Sequence, residues 1–279
     1  MRKTLLFIAV LLCLQTSAFA TWSVIAIDQS TKRVVMAAAS CVDTTDEAMK
    51  TAIAVVVPGV GVAACQAAAD GTHKNQMLVF QELQKGTEPR QIIEMLSADP
   101  AFQSRQFGIL DMQGRVSSHS GLGNSFETLA VSGQVPGTQI YYQVQGNTIR
   151  SGAIRKAAKA FEDAKGALTD RVMAALESGD ANGGDIRCSC PPPAPEKLPC
   201  DNKHAHVAFI LMADPTDTNG DSHNNGKYAL YITVSQPPRD PAAAADHVMG
   251  AKAGESLNPV KTLRLRYDAW RKTMAANFR

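Results

Sequence analysis

The sequence lacks an excess of charge of either sign. It contains 28 Lys and Arg residues and 26 Asp and Glu residues, and two of the basic ones, Arg2 and Lys3, lie at its start. After residue 20 there remain 28 − 2 = 26 basic side chains against 26 acidic ones. A surface that binds nucleic acid or an anionic membrane needs a clear excess of Lys and Arg. We therefore expect no nucleic-acid partner and no electrostatic attachment to a membrane.

A hydrophobic run long enough to span a bilayer is also missing, because such a helix needs about 20 apolar residues in succession. The apolar run Leu5–Leu14 is only ten residues long. It follows the basic pair at the start and precedes Ala18-Phe19-Ala20, which is the order of a secretory signal peptide. We predict a signal peptide over residues 1–20 and export to the periplasm or the cell exterior. The mature chain would then begin at Thr21 and have no membrane attachment.

Sequence motifs of common hydrolases and nucleotide sites are absent or incomplete. The nucleophile elbow G-x-S-x-G and the zinc motif H-E-x-x-H do not occur. Gly59–Ala64 fits the dinucleotide pattern G-x-G-x-x-A, but the break at Asp70-Gly71 leaves no room for the long helix that this pattern requires. Close packing of neighbouring strands is the better interpretation of these glycines. We predict no cofactor.

Two groups of side chains raise the question of a metal site. His204 and His206 would lie on one face of a strand, as some zinc sites require, but no third ligand has a convincing spacing. The acidic loop Asp214–Asp221 suggests calcium, yet it lacks the first ligand position and the glutamate of an EF-hand. We interpret the histidines as polar residues entering a strand and the loop as a hairpin connection. We therefore predict no metal.

The pattern of apolar residues predicts strands joined in hairpins and helices that follow one another in pairs. The predicted strands are residues 21–28, 33–40, 53–57, 59–66, 106–111, 115–119, 140–145, 205–212 and 227–234. The predicted helices are residues 75–84, 88–96, 151–164, 169–176 and 259–275. This order favours a layered α+β protein over alternating βαβ units. We expect one domain over residues 21–279, with a Cys/Pro-rich insertion at 188–200 and a C-terminal helix at 259–275.

Thr21 is the candidate nucleophile. A hydroxyl reacts poorly until a base removes its proton, and an N-terminal threonine carries its own base, the α-amine. The reference pKa of this amine is about 7.7–8.0, so a useful fraction is neutral near pH 7. The hairpin between the first two predicted strands sets Thr21 opposite Ser40, within two residues. One residue thus supplies nucleophile and base once cleavage has freed it.

Several short segments, taken together, resemble those of a known protein family. They are Thr21–Ala26, Ala39-Ser40, Pro58–Gly61, Gln66, Arg105–Asp111, Gly114-Arg115, Ser120-Gly121, Gln145–Asn147, Gly183–Arg187 and Pro259-Val260. Together they resemble the DUF1028 family, which is assigned to the N-terminal nucleophile (Ntn) hydrolase superfamily, and the resemblance covers most of residues 21–234. It implies a four-layer αββα sandwich, Thr21 as nucleophile and hydrolysis of an amide-type bond. Some relatives carry a peptidoglycan-binding module, which favours cell-wall amides. After Arg187, relatives continue into a strand where this chain has the Cys/Pro-rich insertion.

Five further residues complete the predicted site. Ser40 orients the amine of the nucleophile, or is simply a polar strand end. Asn147 donates to an oxyanion, or is a turn residue. Asp185 binds the amine or a substrate group, or belongs to a plain Gly-Gly-Asp turn. We assign substrate binding to Gln66 and Arg187.

Five cysteines remain after the predicted cleavage, and in an exported chain they are candidates for disulfides. We predict one bond from Cys200 to either Cys188 or Cys190, because the proline-rich chain between them is already stiff. We predict a second bond between Cys41 and Cys65.

Two classes of function are compatible with these features. The first is an exported hydrolase that acts on a small amide or a cell-wall fragment. The second is a secreted binding or scaffold protein that keeps the same fold without turnover. A mature N-terminus at Thr21 favours the first class, and a ragged or blocked one favours the second. Either class is compatible with a homo-oligomer.

Overall fold

The computed structural model describes residues 21–42, 44–124, 127–188, 204–235, 252, 255–256 and 258–277. The predicted signal peptide lies outside the described residues, and so does the Cys/Pro-rich insertion apart from Cys188. Within the described residues the chain is a mixed α/β protein with two antiparallel sheets and six helices.

The predicted strands and helices are all present, with ends displaced by a few residues. The strands are β1 (Thr21–Asp28), β2 (Arg33–Ser40), β3 (Ala54–Val57), β4 (Gly61–Ala67), β5 (Arg105–Asp111), β6 (Val116–Ser120), β7 (Leu129–Gln134), β8 (Ile140–Asn147), β9 (Val207–Ala213) and β10 (Leu230–Ser235). The helices are α1 (Asp46–Ile53), α2 (Lys74–Lys85), α3 (Pro89–Leu96), α4 (Ala153–Asp163), α5 (Leu168–Ala181) and α6 (Pro259–Asn277). None of these helices is long and apolar enough to cross a bilayer.

Two elements, α1 and β7, are missing from the sequence-based prediction. The short helix α1 begins after Thr45, whose hydroxyl accepts a hydrogen bond from the N–H of Ala48. This N-cap is a signal that the sequence carries and that identifies a helix start. β7 is an edge strand with mostly half-buried side chains, so it lacks the apolar pattern of a buried strand.

The strands form a large sheet in the order β10-β9-β2-β1-β8-β7 and a small sheet in the order β3-β4-β5-β6. β1 lies in the middle of the large sheet and pairs antiparallel with β2 on one side and β8 on the other. The β1–β2 register confirms the predicted pairing of Thr21 with Ser40. On its other side Thr21 pairs with Asn147.

Apolar clusters on both faces of each sheet hold the elements together. On β1, Val24 and Ala26 face the helix layer, where α5 packs against this strand, while Ile25 and Ile27 face the small sheet, because successive side chains of a strand point to opposite faces. The small sheet buries its other face against α2 and α3. A strand covered on both faces needs apolar residues at nearly every position, which explains the continuous apolar runs of β1 and β2.

Trp22 anchors the start of β1 to the helices. Its side chain is fully buried, and its Nε1 donates a hydrogen bond to the main-chain oxygen of Leu176 in α5 at 3.1 Å. A Cβ atom on Gly179 would lie 2.5 Å from this nitrogen, and one on Gly184 would lie 3.0 Å from the indole ring. The close approach of α5 and of the following loop therefore depends on glycine at these two positions.

The segment Gly59–Ala64 forms the β3–β4 hairpin and not a nucleotide-binding turn. Gly59 lies in the turn with φ of +70°. A Cβ atom on Gly61 would lie 2.9 Å from the main-chain oxygen of Leu110 in β5. These glycines therefore serve a tight turn and a close approach of strands, as the sequence-based interpretation holds.

Cys65 provides a test of this layered packing. It lies on β4, is 2 % exposed and packs in the apolar cluster beneath α2 and α3. Burial raises the pKa of its thiol to about 12, and the nearby charge of Asp70 adds to the increase. Because the thiolate is the reactive form, we expect Cys65 to resist alkylation at about pH 8 in the native protein and to react once the protein is unfolded. Sequential alkylation with mass-spectrometric mapping measures this, and rapid labelling of native Cys65 would contradict the packing.

Candidate active site

Polar side chains meet at the end of the large sheet where β1 begins. Thr21 lies between Ser40 of β2 and Asn147 of β8, since these residues are its register partners. Its Oγ1 donates a hydrogen bond to Ser40 Oγ at 3.2 Å. All three residues are fully buried. A hydroxyl, a second hydroxyl and a carboxamide are thus brought together by backbone pairing alone.

Gln66 reaches this cluster from the small sheet. It follows Cys65 on β4, and because Cys65 faces the helices, Gln66 points between the two sheets. Its Nε2 donates to the main-chain oxygen of Thr21 at 2.9 Å and to Asn147 Oδ1 at 3.3 Å. Its Oε1 accepts a hydrogen bond from Ser23 Oγ at 2.7 Å. Gln66 therefore connects the two sheets at the nucleophile candidate.

Asp185 is a buried carboxylate beside the same strand ends. Its Oδ2 accepts a hydrogen bond from the N–H of Cys41, the residue after Ser40, at 2.9 Å. Its Oδ1 accepts from the main-chain N–H and from Nε of Arg187, each at 3.0 Å. The Arg187 side chain is 34 % exposed, whereas that of Asp185 is 0 % exposed. The two predicted residues thus form one ion pair in which a partly exposed cation offsets the charge of a buried acid.

A disulfide joins Cys41 to Cys188, whose Cα atoms lie 5.8 Å apart across a sequence separation of 147 residues. Because Cys188 follows Arg187 and Cys41 follows Ser40, this bond fastens the loop that carries Asp185 to the end of β2. The disulfide is therefore part of the framework around Thr21.

The predicted disulfide pairs are corrected by this bond. A pair between Cys41 and Cys65 is wrong, because Cys65 is a free thiol in the small sheet and faces the helices, away from β2. A pair between Cys188 and Cys200 is wrong, because Cys188 is bonded to Cys41. The remaining alternative, Cys190 with Cys200, lies outside the described residues.

Left-handed backbone conformations follow two of the site residues. Ala67, after Gln66, has φ of +75°, and Thr148, after Asn147, has φ of +57°. Such conformations are uncommon for residues with a Cβ atom and unusual for a β-branched one. They cost about 1–3 kcal/mol each and concentrate at functional sites. β4 and β8 therefore each end in a constrained turn, which follows directly after Gln66 and Asn147.

The sequence-based prediction missed two polar residues of this cluster, Ser23 and Gln106. Gln106 on β5 accepts a hydrogen bond from Gln66 Nε2 at its Oε1, at a distance of 2.8 Å. Both residues are fully buried. The signal that identifies them is a polar residue at an inward-facing position of an otherwise apolar strand, since such a group needs a buried partner.

Two of the residues considered as metal ligands, Asp217 and His204, lie against other groups. Asp217 Oδ2 accepts hydrogen bonds from the N–H groups of Asp214 at 2.8 Å and Ala229 at 2.7 Å, so it closes the hairpin loop. His204 and His206 precede β9 and do not lie on it. The Nδ1 atom of His204 is 3.4 Å from Asp180 Oδ1. Among the residues that the structure describes, no group of three or more His, Cys, Asp or Glu side chains is arranged to hold a metal ion.

Comparisons with known proteins relate this chain to one family. A family model described as "Family of unknown function (DUF1028)" matches residues 21–190. The crystal structure of protein SPO2555 from Silicibacter pomeroyi, described with the same family model, is similar with a TM-score of 0.60. The similarity covers 90 % of this chain and 88 % of that chain at 18 % sequence identity, so it shows a shared fold only. No curated protein matches the chain.

The disulfide leads to a stability prediction. Replacing Cys188 with Ala should lower the free energy of unfolding by about 2–5 kcal/mol, because the bond closes a long loop. Cys41→Ala should lose a similar amount, and the double variant should lose little more than either single variant, since both changes remove the same bond. Urea denaturation of the three variants measures these values. Additive losses, or no loss in any variant, would contradict a bond between these two residues.

Proposed function

Because the chain belongs to the DUF1028 family, whose function is unknown, we propose its function from the geometry around Thr21. We propose that it is an exported hydrolase that uses Thr21, freed by signal cleavage, to hydrolyse an amide-type bond. The observation that carries the proposal is the convergence of Ser40, Asn147 and Gln66 on Thr21. The start of the family match at Thr21 itself is a second support.

The proposed reaction needs only Thr21 and water for its proton transfers. Cleavage after residue 20 turns the main-chain nitrogen of Thr21 into an amine with a pKa of about 7.7–8.0. The neutral amine accepts the proton of Oγ1 as this oxygen attacks the substrate carbonyl. The carbon–nitrogen bond then breaks, and the leaving nitrogen takes that proton, so an ester on Oγ1 remains. Water attacks this ester with the amine again as base, which releases the acid and restores the hydroxyl.

The neighbouring side chains have separate parts in this reaction. Asn147 accepts from Gln66 through its oxygen, and we assign to its amide nitrogen the donation to the developing oxyanion. Ser40 Oγ lies 3.2 Å from Thr21 Oγ1, and we assign to it the orientation of the Thr21 amine; the hydroxyl turns from Ser40 to the amine when it transfers its proton. Arg187, held by Asp185 and partly exposed, is the group that we assign to substrate contact.

The packing order supports the finer assignment of the fold to the four-layer αββα sandwich of the Ntn hydrolases. Helices α4, α5 and α6 cover the outer face of the large sheet, the two sheets face each other, and α2 with α3 cover the small sheet. We propose that this succession of layers is the Ntn arrangement.

We propose a small amide or a cell-wall fragment in the periplasm or outside the cell as the substrate. The predicted leader supports the location, and the family resemblance favours wall-derived amides. The reaction requires no metal and no cofactor in this proposal.

Three variants of the mature chain test the nucleophile. The measurement is acylation by a β-lactone probe, whose ring opens when a hydroxyl attacks its carbonyl. Thr21→Ala should abolish acylation, and loss of its buried hydrogen bond to Ser40 should lower stability by only about 1 kcal/mol. Thr21→Ser keeps hydroxyl and amine but loses the methyl that restricts χ1, so acylation should persist at a reduced rate.

The third variant retains Met before Thr21 and serves as the matched control. It keeps the hydroxyl but converts the amine into an amide without basicity, so it should be as inactive as Thr21→Ala. Acylation of this variant at the wild-type rate would refute the N-terminal mechanism. A secreted protein with a blocked or ragged N-terminus and no acylation would favour the binding or scaffold function instead.

A further inference from the structure

Gln106 has an amide orientation that the main chain dictates. Its Nε2 lies 3.1 Å from the main-chain oxygen of Gly146, 3.3 Å from that of Leu129 and 3.0 Å from Ser120 Oγ. A carbonyl oxygen only accepts hydrogen bonds. A flipped amide would therefore bring its own oxygen against two others in a buried position. The nitrogen of Gln106 must face β7 and β8, and its oxygen must face the opposite way.

This orientation determines that of Gln66. The oxygen of Gln106 lies 2.8 Å from the end of the Gln66 side chain, so a donor must occupy that place. The nitrogen of Gln66 therefore faces Gln106, and the same nitrogen donates to the main-chain oxygen of Thr21 at 2.9 Å. The oxygen of Gln66 is left to accept from Ser23 Oγ at 2.7 Å. Each contact in this series sets a donor against an acceptor.

Asn147 is the last member of the series. Its Oδ1 lies 3.3 Å from Gln66 Nε2, whose two hydrogens point to the nearer oxygens of Gln106 and Thr21, so Asn147 shares one of them in a longer three-centre contact. A nitrogen of Asn147 in that place would meet the hydrogens of another donor, so the atom facing Gln66 is the oxygen. The nitrogen of Asn147 is thereby placed on the other side of its amide group. An oxyanion is stabilised by a nitrogen and repelled by an oxygen, so the choice between these two orientations decides what Asn147 can do.

We propose that Gln106 is a positioning residue for the Thr21 site. Anchored on the carbonyl oxygens of β7 and β8, it orients Gln66, which holds the main chain of Thr21 and sets the orientation of Asn147. The orientation itself follows from the hydrogen bonds above, whereas its effect on turnover rests on the proposed function.

Gln143 provides the matched control. It is a glutamine on β8, 1 % exposed, and it faces the small sheet, since a Cβ atom on Gly108 of β5 would overlap its Nε2. Its Nε2 donates to Gln145 Oε1 at 2.8 Å. A substitution there removes a buried amide of equal size without removing a hydrogen bond of Gln66.

The first experiment needs no substrate. Hydrogen exchange of the Gln66 side-chain amide is measured by NMR in the mature chain and in its Gln106→Met and Gln143→Met variants. Gln106→Met removes the acceptor at 2.8 Å, so exchange at Gln66 should become about tenfold faster, while Gln143→Met should leave it unchanged. Equal exchange rates at Gln66 in wild type and Gln106→Met, or equal acceleration by both variants, would overturn the proposal.

The second experiment uses Gln106→Glu, which is close to isosteric and keeps the proposal testable if the Met variant fails to fold. A buried carboxyl group has a raised pKa. Its protonated form donates to one carbonyl oxygen and accepts from Gln66, whereas its ionised form only accepts. The ratio of variant to wild-type β-lactone acylation at Thr21 should therefore fall as pH rises through the raised pKa of the introduced carboxyl.

Gln143→Glu should show a ratio that does not change with pH, because it does not contact Gln66. A pH-independent ratio for Gln106→Glu would overturn the positioning role. If wild-type Thr21 is not acylated at all, the proposed function fails, and the exchange experiment still decides the role of Gln106.

Discussion

The register of β1 in the middle of the large sheet is the constraint on which the rest of this site depends. β1 is hydrogen-bonded along both edges, so Thr21 cannot move along the strand without breaking two ladders. A slip of one residue would also exchange the two faces of the strand. Trp22 would then leave its place against α5, and Ser23 would leave Gln66. The position of one hydroxyl is thus fixed by the packing of both sheets.

The same register places polar groups where the fold is otherwise apolar. Buried amides and hydroxyls are costly unless each finds a partner. Around Thr21 these partners come from both sheets, since Gln66 and Gln106 belong to the small sheet and Asn147 belongs to the large one. Beside this cluster, the Cys41–Cys188 bond and the Asp185 carboxylate hold the loop that carries Asp185 against the end of β2. The polar cluster therefore lies where several independent restraints meet.

What the sequence predicts well is local. The apolar runs of β1 and β2, together with the short polar stretch between them, predict the hairpin and the pairing of Thr21 with Ser40. The contact with Asn147 is different, because β8 joins β1 across more than a hundred residues, and no local pattern specifies which strand pairs there. The sequence identifies Asn147 as an amide donor after a predicted strand and as part of the family resemblance, but it does not identify the strand beside it.

The disulfides and Gln106 also depend on contacts between distant parts of the chain, which the sequence does not predict. Proximity along the chain favoured bonds within the insertion, but the fold brings Cys188 beside Cys41. Because side chains alternate along β4, Cys65 points toward the helices and Gln66 points toward Thr21. This alternation explains why the predicted Cys41–Cys65 bond is wrong and why Gln66 contacts Thr21. The sequence places Gln106 in a strand but does not show the sheet opposite it, and the partners on that sheet explain why an amide is buried there.

The most direct test of Thr21 as an N-terminal nucleophile is a crystal structure of the exported, signal-cleaved protein after treatment with the β-lactone. An ester between Thr21 Oγ1 and the opened lactone is the predicted result, with Thr21 as the first residue and the ester oxygen within hydrogen-bond distance of the Asn147 nitrogen. An adduct on any other residue, or a chain that still carries residues before Thr21 at the acylated site, would contradict this assignment.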